Sequence, residues 1–293
     1  MNRFYLIFAF LLGLFTNNVL ADEWCLAPKE PDTIVFQNLI DIEKKILFSK
    51  NEDDNVSLLI KKSEIYKEIG DYHKSLLTLE RIQFSSICDS LKAVVYSQLS
   101  FLSFLTEYYQ QSVAYADLAL LYRGYNKDFD SMSEVVKILS LNELEDYQNA
   151  YLSGIEHINN NFDDKDVMEV KLKEWELLYS QKSIPKFKKP SKAETMSAII
   201  PGMGQMYSGF YWEGMTNLGI HLVLLGGTAF AVYKTYYLTS YFAGAAVFIR
   251  FYQGGIRRSE YLAHKRNYLE KRKFNDNVKE NILGKKEVKI LEK

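Results

Sequence analysis

Cysteine, histidine, proline and glycine are scarce in this chain, and their scarcity excludes several kinds of site. The 293 residues include two cysteines and four histidines. Two cysteines are too few for a zinc site built from paired C-x-x-C motifs. The histidines are scattered, and the sequence contains no Ser-His-Asp or Cys-His combination and no dinucleotide-binding fingerprint. We therefore expect no catalytic residue, no cofactor, no metal site and no enzymatic activity.

Helix-breaking residues are almost absent between Asp32 and Ile184. Apolar residues recur there at the spacing of an α-helix, for example at Leu99, Leu102 and Leu105. The pattern predicts an all-helical domain over residues 22–181.

Charge is distributed unevenly along the chain. Residues 22–181 carry a formal net charge of −13, whereas residues 182–192 contain five lysines and no acid. Residues 257–293 carry a net charge of +6. Basic residues beside apolar segments attract anionic lipid head groups, at about 1 kcal/mol for each residue. We predict a basic linker over residues 182–192, a charged tail over residues 268–293, and no binding of nucleic acid.

The first 21 residues have the three parts of an export signal. Arg3 supplies the positive charge, Phe4–Phe15 form a short apolar core, and V-L-A before residue 22 predicts cleavage after Ala21. The alternative is an anchor that is not cleaved.

The two cysteines are Cys25 and Cys88. An exported domain meets an oxidising compartment, which permits a disulfide between them. The alternative is a pair of unbonded thiols.

Three segments of the helical region are similar to one another, and their aligned tyrosines predict a repeat of 37 and 38 residues. Each segment is expected to place a small residue where two helices pack closely, at Ser75, Ser112 and Ala150. The segments are G-D-Y-H-K-S-L-L-T-L from Gly70, E-Y-Y-Q-Q-S-V-A-Y-A from Glu107 and E-D-Y-Q-N-A-Y-L-S-G from Glu145, with aligned residues Tyr72, Tyr109 and Tyr147.

Residues 55–82, which include the first of these segments, resemble a tetratricopeptide repeat. Lys62 and Ser63 depart from the Leu-Gly pair of that family, and no proline ends any repeat. The resemblance implies an array of helix pairs with a concave face that binds a partner protein. The alternatives are an unrelated helical bundle and a spacer that only packs. The residues that carry the resemblance are Leu59, Tyr66, Gly70, Tyr72, Ser75, Leu79 and Ile82.

Two apolar runs follow the linker. Gly214–Tyr233 has no formal charge, and Thr235–Ile256 contains only Arg250. About 20 apolar residues suffice to cross a bilayer. We predict a membrane domain over residues 193–267, with transmembrane helices at 212–234 and 236–256 joined in a hairpin.

A glycine-rich motif precedes the first run. It lacks the G-K-S/T of a phosphate loop, so we expect it to break a short interfacial or re-entrant helix. The motif residues are Pro201, Gly202, Gly204, Gln205, Tyr207, Gly209 and Gly214. S-A-I-I-P-G-M-G-Q-M-Y-S-G-F-Y-W-E-G resembles the start of a small bacterial membrane domain of unknown function, which has two transmembrane helices. The resemblance implies an envelope protein of the Bacteroidetes type.

Polar residues lie four apart on the first predicted span, at Glu213, Asn217 and His221. Polar groups inside a membrane are costly and suggest a function, with Arg250 as the expected partner. The alternative is that they only tie the two helices together. Small residues at Gly255, Ser259 and Ala263, and at Ser240 and Gly244, are expected to let helices approach closely.

These observations predict an all-α scaffold that is anchored in the bacterial inner membrane and binds a protein partner through a periplasmic repeat domain. The alternative is a membrane-embedded factor that assists transport or the insertion of membrane proteins. Cleavage of the signal favours two crossings with both basic flanks in the periplasm. The positive-inside rule opposes that arrangement and favours a third crossing by residues 193–211.

Overall fold

The computed structural model describes residues 33–49, 52–123 and 132–283. All regular secondary structure in these ranges is helical, as the sequence predicts. The chain divides into two compact units, residues 1–86 and 87–293. The predicted repeat domain, residues 22–181, therefore contributes to both units. The export signal lies outside the described residues.

The first unit contains helices α1 (Thr33–Phe48), α2 (Glu52–Glu68) and α3 (Tyr72–Leu79), followed by a 3₁₀ turn at Phe84–Ser86. Helix α2 packs on both α1 and α3.

The departures from the tetratricopeptide pattern in α2 have specific partners. Lys62 is buried and forms an ion pair with Glu43 of α1, at 2.5 Å between Nζ and Oε2. Ser63 is also buried, and its Oγ lies 2.8 Å from the Oγ of Ser75 in α3. Each polar residue is thus satisfied by a neighbouring helix, which burial requires.

The second unit begins with helices α4 (Asp89–Leu105), α5 (Tyr109–Arg123), α6 (Met132–Glu143), α7 (Tyr147–Asn161) and α8 (Lys165–Leu178). Each of these helices packs on the next one in the chain. The predicted repeat thus corresponds to helix pairs α2–α3, α4–α5 and α6–α7.

The same turn closes all three helix pairs. Gly70, Glu107 and Glu145 have positive φ angles of 80°, 64° and 64°. In the second pair, for example, the Glu107 N–H donates to the Phe104 carbonyl, and the Tyr108 N–H donates to the Ser103 carbonyl. This is a Schellman turn, which satisfies the last carbonyl groups of a helix and reverses the chain.

The small residues of the repeat lie at the expected close contacts. Ser75, Ser112 and Ala150 are completely buried. Ser112 Oγ donates to the Ser100 carbonyl at 2.8 Å and lies 2.8 Å from the Oγ of Ser140. The second helix of each pair is therefore in near-backbone contact with the first.

We predict that Ser112→Leu destabilises the second unit by about 1–3 kcal/mol, because the added carbons overpack a contact that has no free volume. Ala114→Leu is the matched control, since Ala114 is exposed on the same helix. Chemical denaturation of both variants checks the prediction. Equal stability of the two would mean that the repeat register is wrong.

A buried charge cluster joins α5, α6 and α7. Glu134 is 5% exposed, and its carboxylate is 2.9 Å from Arg123 Nη1 and 2.7 Å from His157 Nδ1. Asn160 and Asn161 also donate to it. Burial alone would raise the pKa of Glu134, but the hydrogen bonds from His157, Asn160 and Arg123 and the charge interaction with His157 lower it to about 2.

Because the folded pKa of Glu134 lies below its ordinary value of 4.5, its ionisation stabilises the fold above that pH. We expect this contribution to be lost as the pH falls from about 4.5 to about 2. Glu134→Gln should be less stable at neutral pH and should lose less stability on acidification. Urea titrations across this pH range test the prediction, with the exposed Glu156→Gln as control. An unchanged acid response in Glu134→Gln would contradict it.

The remaining helices are α9 (Pro190–Ile199), α10 (Met203–Tyr207), α11 (Tyr211–Tyr233), α12 (Tyr237–Thr239) and α13 (Ala246–Leu283), with a π-helical segment at Ser240–Ala245. Helices α9 and α10 pack on each other and on α13, and α11 packs antiparallel to the chain from Ser240 onward. Pro190 fits the first turn of α9 because that position needs no N–H donor. The predicted basic linker therefore ends at Lys189 rather than Lys192.

Two predicted segments in this part belong to one continuous helical stretch. The second apolar run, 236–256, is not a separate helix, because α12, the π-helical segment and α13 continue one another without a break. Helix α13 runs 38 residues to Leu283, so the predicted charged tail is helical from residue 268 to residue 283, and residues 284–293 lie outside the described part.

The C-terminal half of α13 belongs to the hydrophobic core of the helix pairs. Phe274 and Val278 are 4% and 0% exposed and pack with Val135 and Ile138 of α6, and with Trp175 of α8. Around this core, Lys271 Nζ donates to the Glu143 carbonyl and Asn275 Nδ2 donates to Glu143 Oε1 at 2.6 Å. One helix thus connects the α9–α11 region to the core of α6–α8.

Candidate functional site

The surface around α11 is strongly apolar. Tyr211–Tyr233 is long and apolar enough to cross a membrane, and it alone among the helices of the described residues passes that test. Of its 18-residue apolar window, 6% is buried. Aromatic side chains are exposed at both ends, with Trp212 at 88% and Tyr233 at 79%. This distribution is typical of a membrane span with interfacial aromatic residues.

Four polar residues of α11 face the antiparallel chain that follows it, and we call this row the polar seam: Glu213, Asn217, His221 and Thr228. Side chains of α11 lie close to two glycines of that chain: an added Cβ at Gly244 would meet Thr228 at 2.3 Å, and one at Gly255 would meet Asn217 at 2.6 Å. Ser240 Oγ also approaches the Thr228 carbonyl, at 3.5 Å. Of the predicted small residues, Ser240, Gly244 and Gly255 thus make close contacts with α11, whereas Ser259 contacts α9.

Glu213 lies at one end of the seam. Arg258 Nε donates to its Oε1 at 2.5 Å, and Arg258 Nη2 donates to its Oε2 at 3.4 Å. The expected pairing with Arg250 is wrong, because Arg250 is exposed and Glu213 is paired two turns further along α13. The register of the hairpin predicts the observed pair, because Glu213 and Arg258 lie at equal distances along the chain from the turn at Thr235 and Tyr236.

His221 lies in the middle of the seam and is 2% exposed. Its Nδ1 is 2.8 Å from the Asn217 carbonyl, so in the neutral ring Nδ1 carries the proton that is donated. Phe248 and Tyr252 approach the ring edge to face, at 5.2 Å and 6.3 Å between centroids.

Two buried polar atoms of the seam have no hydrogen-bond partner within the described residues. They are His221 Nε2 and Asn217 Nδ2. Burial of an unpaired polar atom costs about 1–3 kcal/mol, so the seam retains two places where a polar group could bind. No group of His, Cys, Asp or Glu within the described residues could hold a metal ion.

The glycine motif brings backbones together at the base of α11. Gly202 has a φ of 92°, and a Cβ there would lie 2.2 Å from the Gly214 carbonyl oxygen. Gly204 is tighter still, since its Cβ would lie 1.9 Å from the Ala193 carbonyl oxygen of α9. Gly209 has a φ of 89° in the Schellman turn that ends α10. These glycines are required by close approach and by backbone conformation.

Gln205 connects three of these elements. It is 1% exposed, accepts from Ser197 Oγ of α9 at 3.0 Å, and donates through Nε2 to the Gly255 carbonyl of α13 at 3.1 Å. Ser259 Oγ donates in turn to the Ala193 carbonyl at 3.2 Å. The motif therefore builds a small, polar core in which α9 and α10 are fixed to α13.

Helices α9 and α10 form a helical hairpin on this core, in the segment predicted to be interfacial or re-entrant. Ala193 contacts Ser259, and further down α9 the Ala198 carbonyl accepts from Tyr252 Oη at 2.6 Å, after which the chain turns back at Pro201. The tip of the hairpin exposes apolar side chains at Ile199, Ile200 and Met203.

Tyr207 and Asn267 fix the start of this region. The Lys189 N–H donates to Tyr207 Oη at 3.3 Å. Asn267 of α13 accepts from the Lys188 N–H at 2.7 Å and donates to the Lys188 carbonyl at 2.8 Å. Neither Asn267 nor Arg258 was identified as a site residue from the sequence, because their partners are distant in the chain.

The remaining site prediction concerns the cysteines. Cys88 is exposed and precedes α4, whereas Cys25 lies outside the described residues. The disulfide therefore stays a prediction.

Comparison with known proteins gives one match. No curated protein and no solved structure matches the chain. Residues 186–289 match the model of a family described as "Family of unknown function (DUF5683)". The matched segment begins before the predicted membrane domain and includes the Lys188–Asn267 contact and the buried Phe274. Over α9–α13, the chain is therefore similar to a family of unknown function.

Proposed function

We propose that this protein is a membrane-anchored helical-repeat scaffold that binds a partner protein at the bacterial cell envelope. The observation that carries the proposal is the continuity of α13. Its N-terminal half packs along α11, while Phe274 and Val278 in its C-terminal half are buried against α6 and α8. The helix pairs of the second unit are therefore joined through α13 to the segment that we propose enters the membrane, as a scaffold requires.

The length and surface of α11 support insertion in a bilayer. Its 23 residues extend about 34 Å, which exceeds the roughly 30 Å of a hydrocarbon core. Apolar side chains such as Leu222 and Val223 are 61% and 70% exposed, while polar His221 is buried. Apolar surface outside and polar groups inside favour lipid rather than water around this helix.

The contacts of α13 favour two crossings. Helices α6–α8 precede the apolar segments and Phe274 follows them, yet all belong to one hydrophobic core. They must then lie on the same side of the membrane, which requires an even number of crossings. Since the re-entrant hairpin returns to the side from which it starts, α11 and the chain from Tyr237 form the two crossings. With export by the N-terminal signal, the helix pairs lie in the periplasm and the anchor lies in the inner membrane.

The exposed faces of the helix pairs supply the surface for a protein partner. Leu121 of α5 is 70% exposed and Leu152 of α7 is 54% exposed. Exposed leucines cost solvation free energy in water, and their burial is a common source of binding energy in protein complexes.

Co-purification from solubilised membranes tests the proposal. The full-length tagged chain is compared with Leu121→Asp, Leu152→Asp and, as a matched control in the membrane part, Leu222→Ala. A partner that is retained by the wild type and the control but lost with either aspartate supports the scaffold. Retention of every associated protein by both aspartate variants would contradict it.

A membrane-embedded factor for transport or protein insertion is the second candidate. It is favoured by the two buried atoms without hydrogen-bond partners in the described seam, His221 Nε2 and Asn217 Nδ2. If this is the function, His221→Ala should abolish biological activity while partner binding by the helix pairs persists. The scaffold instead predicts that His221→Ala leaves partner binding and activity unchanged.

A further inference from the structure

We propose that Lys188, Lys192 and Tyr207 form a binding site for the phosphate of an anionic phospholipid, at the point where the re-entrant hairpin enters the membrane. The inference rests on the membrane anchoring of the proposed function and identifies one specific lipid contact. Two cations and one aromatic ring form the site.

Both lysines converge on the same ring. Lys188 Nζ lies 4.9 Å from the Tyr207 ring centroid, and Lys192 Nζ lies 5.3 Å from it. Both distances lie within the roughly 6 Å range of a cation–π contact, so one ring holds two ammonium groups, whose like charges repel. A phosphate between them would neutralise that repulsion and accept hydrogen bonds from both.

Hydrogen bonds hold the backbone of the lysine segment in place without any ligand. Asn267 of α13 bonds both the N–H and the carbonyl of Lys188, and Tyr207 Oη accepts from the Lys189 N–H. Lys192 lies in the first turn of α9. The carbonyl of the next residue, Ala193, accepts a hydrogen bond from Ser259 Oγ. A preorganised site binds its ligand at a lower entropic cost.

The site carries positive charge without a matching acid. Residues 182–192 contain five lysines and no Asp or Glu. Within the described residues, no carboxylate forms an ion pair with any of these lysines. The charge of Lys188 and Lys192 is thus free to attract an anion.

The position of the site favours a lipid as the source of the phosphate. Lys192 precedes Ala193, whose carbonyl accepts a hydrogen bond from Ser259 of α13. Ser259 follows Arg258 in the chain, and Arg258 forms the ion pair with Glu213 at the start of α11. Glu213 in turn adjoins Trp212, the exposed aromatic residue at the end of the apolar helix. Beyond the site, the tip of the hairpin exposes Ile199 and Ile200. The lysines therefore lie at the level of the head groups, with apolar side chains extending toward the acyl region.

Native mass spectrometry of the purified full-length chain in neutral detergent tests the proposal. Phosphatidylglycerol is the probe, and phosphatidylcholine and inorganic phosphate are the comparisons. We expect Lys188→Gln/Lys192→Gln to bind phosphatidylglycerol about 25-fold more weakly, since each lysine near a lipid surface contributes about fivefold. Lys188→Arg/Lys192→Arg should retain binding. The matched control is Lys171→Gln/Lys173→Gln, which removes the same charge from α8 and should leave binding unchanged.

Equal phosphatidylglycerol affinity in the Lys188→Gln/Lys192→Gln variant and the wild type would overturn the proposal. Complete competition by inorganic phosphate would also overturn it, because the site would then recognise a free anion. The assay contains no protein partner, so a negative result leaves the scaffold intact, and loss of partner binding in co-purification leaves this site intact.

Discussion

Phe274→Ala should lower the free energy of unfolding of the second unit by about 4 kcal/mol, the usual cost of removing a buried aromatic ring. The ring is 4% exposed and makes edge-to-face contacts with Tyr147 and Tyr179, at 5.3 Å between centroids in each case. Its removal leaves a cavity between α13 and the helix pairs. Thermal unfolding in detergent measures the effect through the fluorescence of Trp175, which belongs to the same cluster, once Trp24 and Trp212 are replaced by phenylalanine in all variants.

Tyr268→Ala is the matched control for this experiment. Tyr268 is an aromatic residue on the same helix but is 63% exposed. Its replacement should change stability by less than about 0.5 kcal/mol. If Phe274→Ala proves as mild as Tyr268→Ala, then the end of α13 does not pack in the core.

Gly204→Ala should disrupt the hairpin formed by α9 and α10, at a cost at or above the roughly 3 kcal/mol that marks severe overpacking. The new Cβ would lie 1.9 Å from the Ala193 carbonyl oxygen, and a backbone atom cannot move aside as a flexible side chain can. Helix α10 would have to move away from α9, which would break the bonds of Gln205 to Ser197 and Gly255. The result should be a strong loss of thermal stability and faster proteolysis at the linker.

Gly219→Ala provides the control for Gly204→Ala. Both glycines are helical and both substitutions add one methyl group, but nothing lies within 4 Å of a Cβ at Gly219. We expect Gly219→Ala to be neutral or slightly stabilising, because alanine has the higher helix propensity. Similar melting temperatures for the two variants would contradict the packing of α10 on α9.

The local features of this fold could be predicted from the sequence. Helical periodicity and the scarcity of glycine and proline identify the all-helical region, and the aligned tyrosines identify the three helix pairs. The small residues at Ser75, Ser112 and Ala150 also follow from the alignment, since a repeat imposes the same contact in each copy. These signals are local or are repeated along the chain.

The long-range features could not be predicted in the same way. Residues 268–283 are rich in charge, and the two apolar side chains that are buried in the core, Phe274 and Val278, are too few to indicate burial by composition. Their partners in α6 lie about 140 residues earlier, where no periodic pattern points to them. Arg250 was expected to be the partner of the polar residues on α11 because it is the one charge in its apolar run, whereas in the structure Glu213 pairs with Arg258.

The central claim is that α6–α8 and the end of α13 lie on the same side of the membrane, with two crossings between them. Its most direct test is to determine the side of the membrane on which three positions lie. Leu177→Cys in α8, Tyr236→Cys in the hairpin turn and Tyr268→Cys in α13 are each introduced alone, with Cys25 and Cys88 replaced by serine. All three positions are exposed, at 70%, 64% and 63%. A membrane-impermeant maleimide is applied to intact spheroplasts and to inverted vesicles. The account predicts that Leu177→Cys and Tyr268→Cys are labelled from one side, in spheroplasts, and Tyr236→Cys from the other. Labelling of Leu177→Cys and Tyr268→Cys from opposite sides would contradict it.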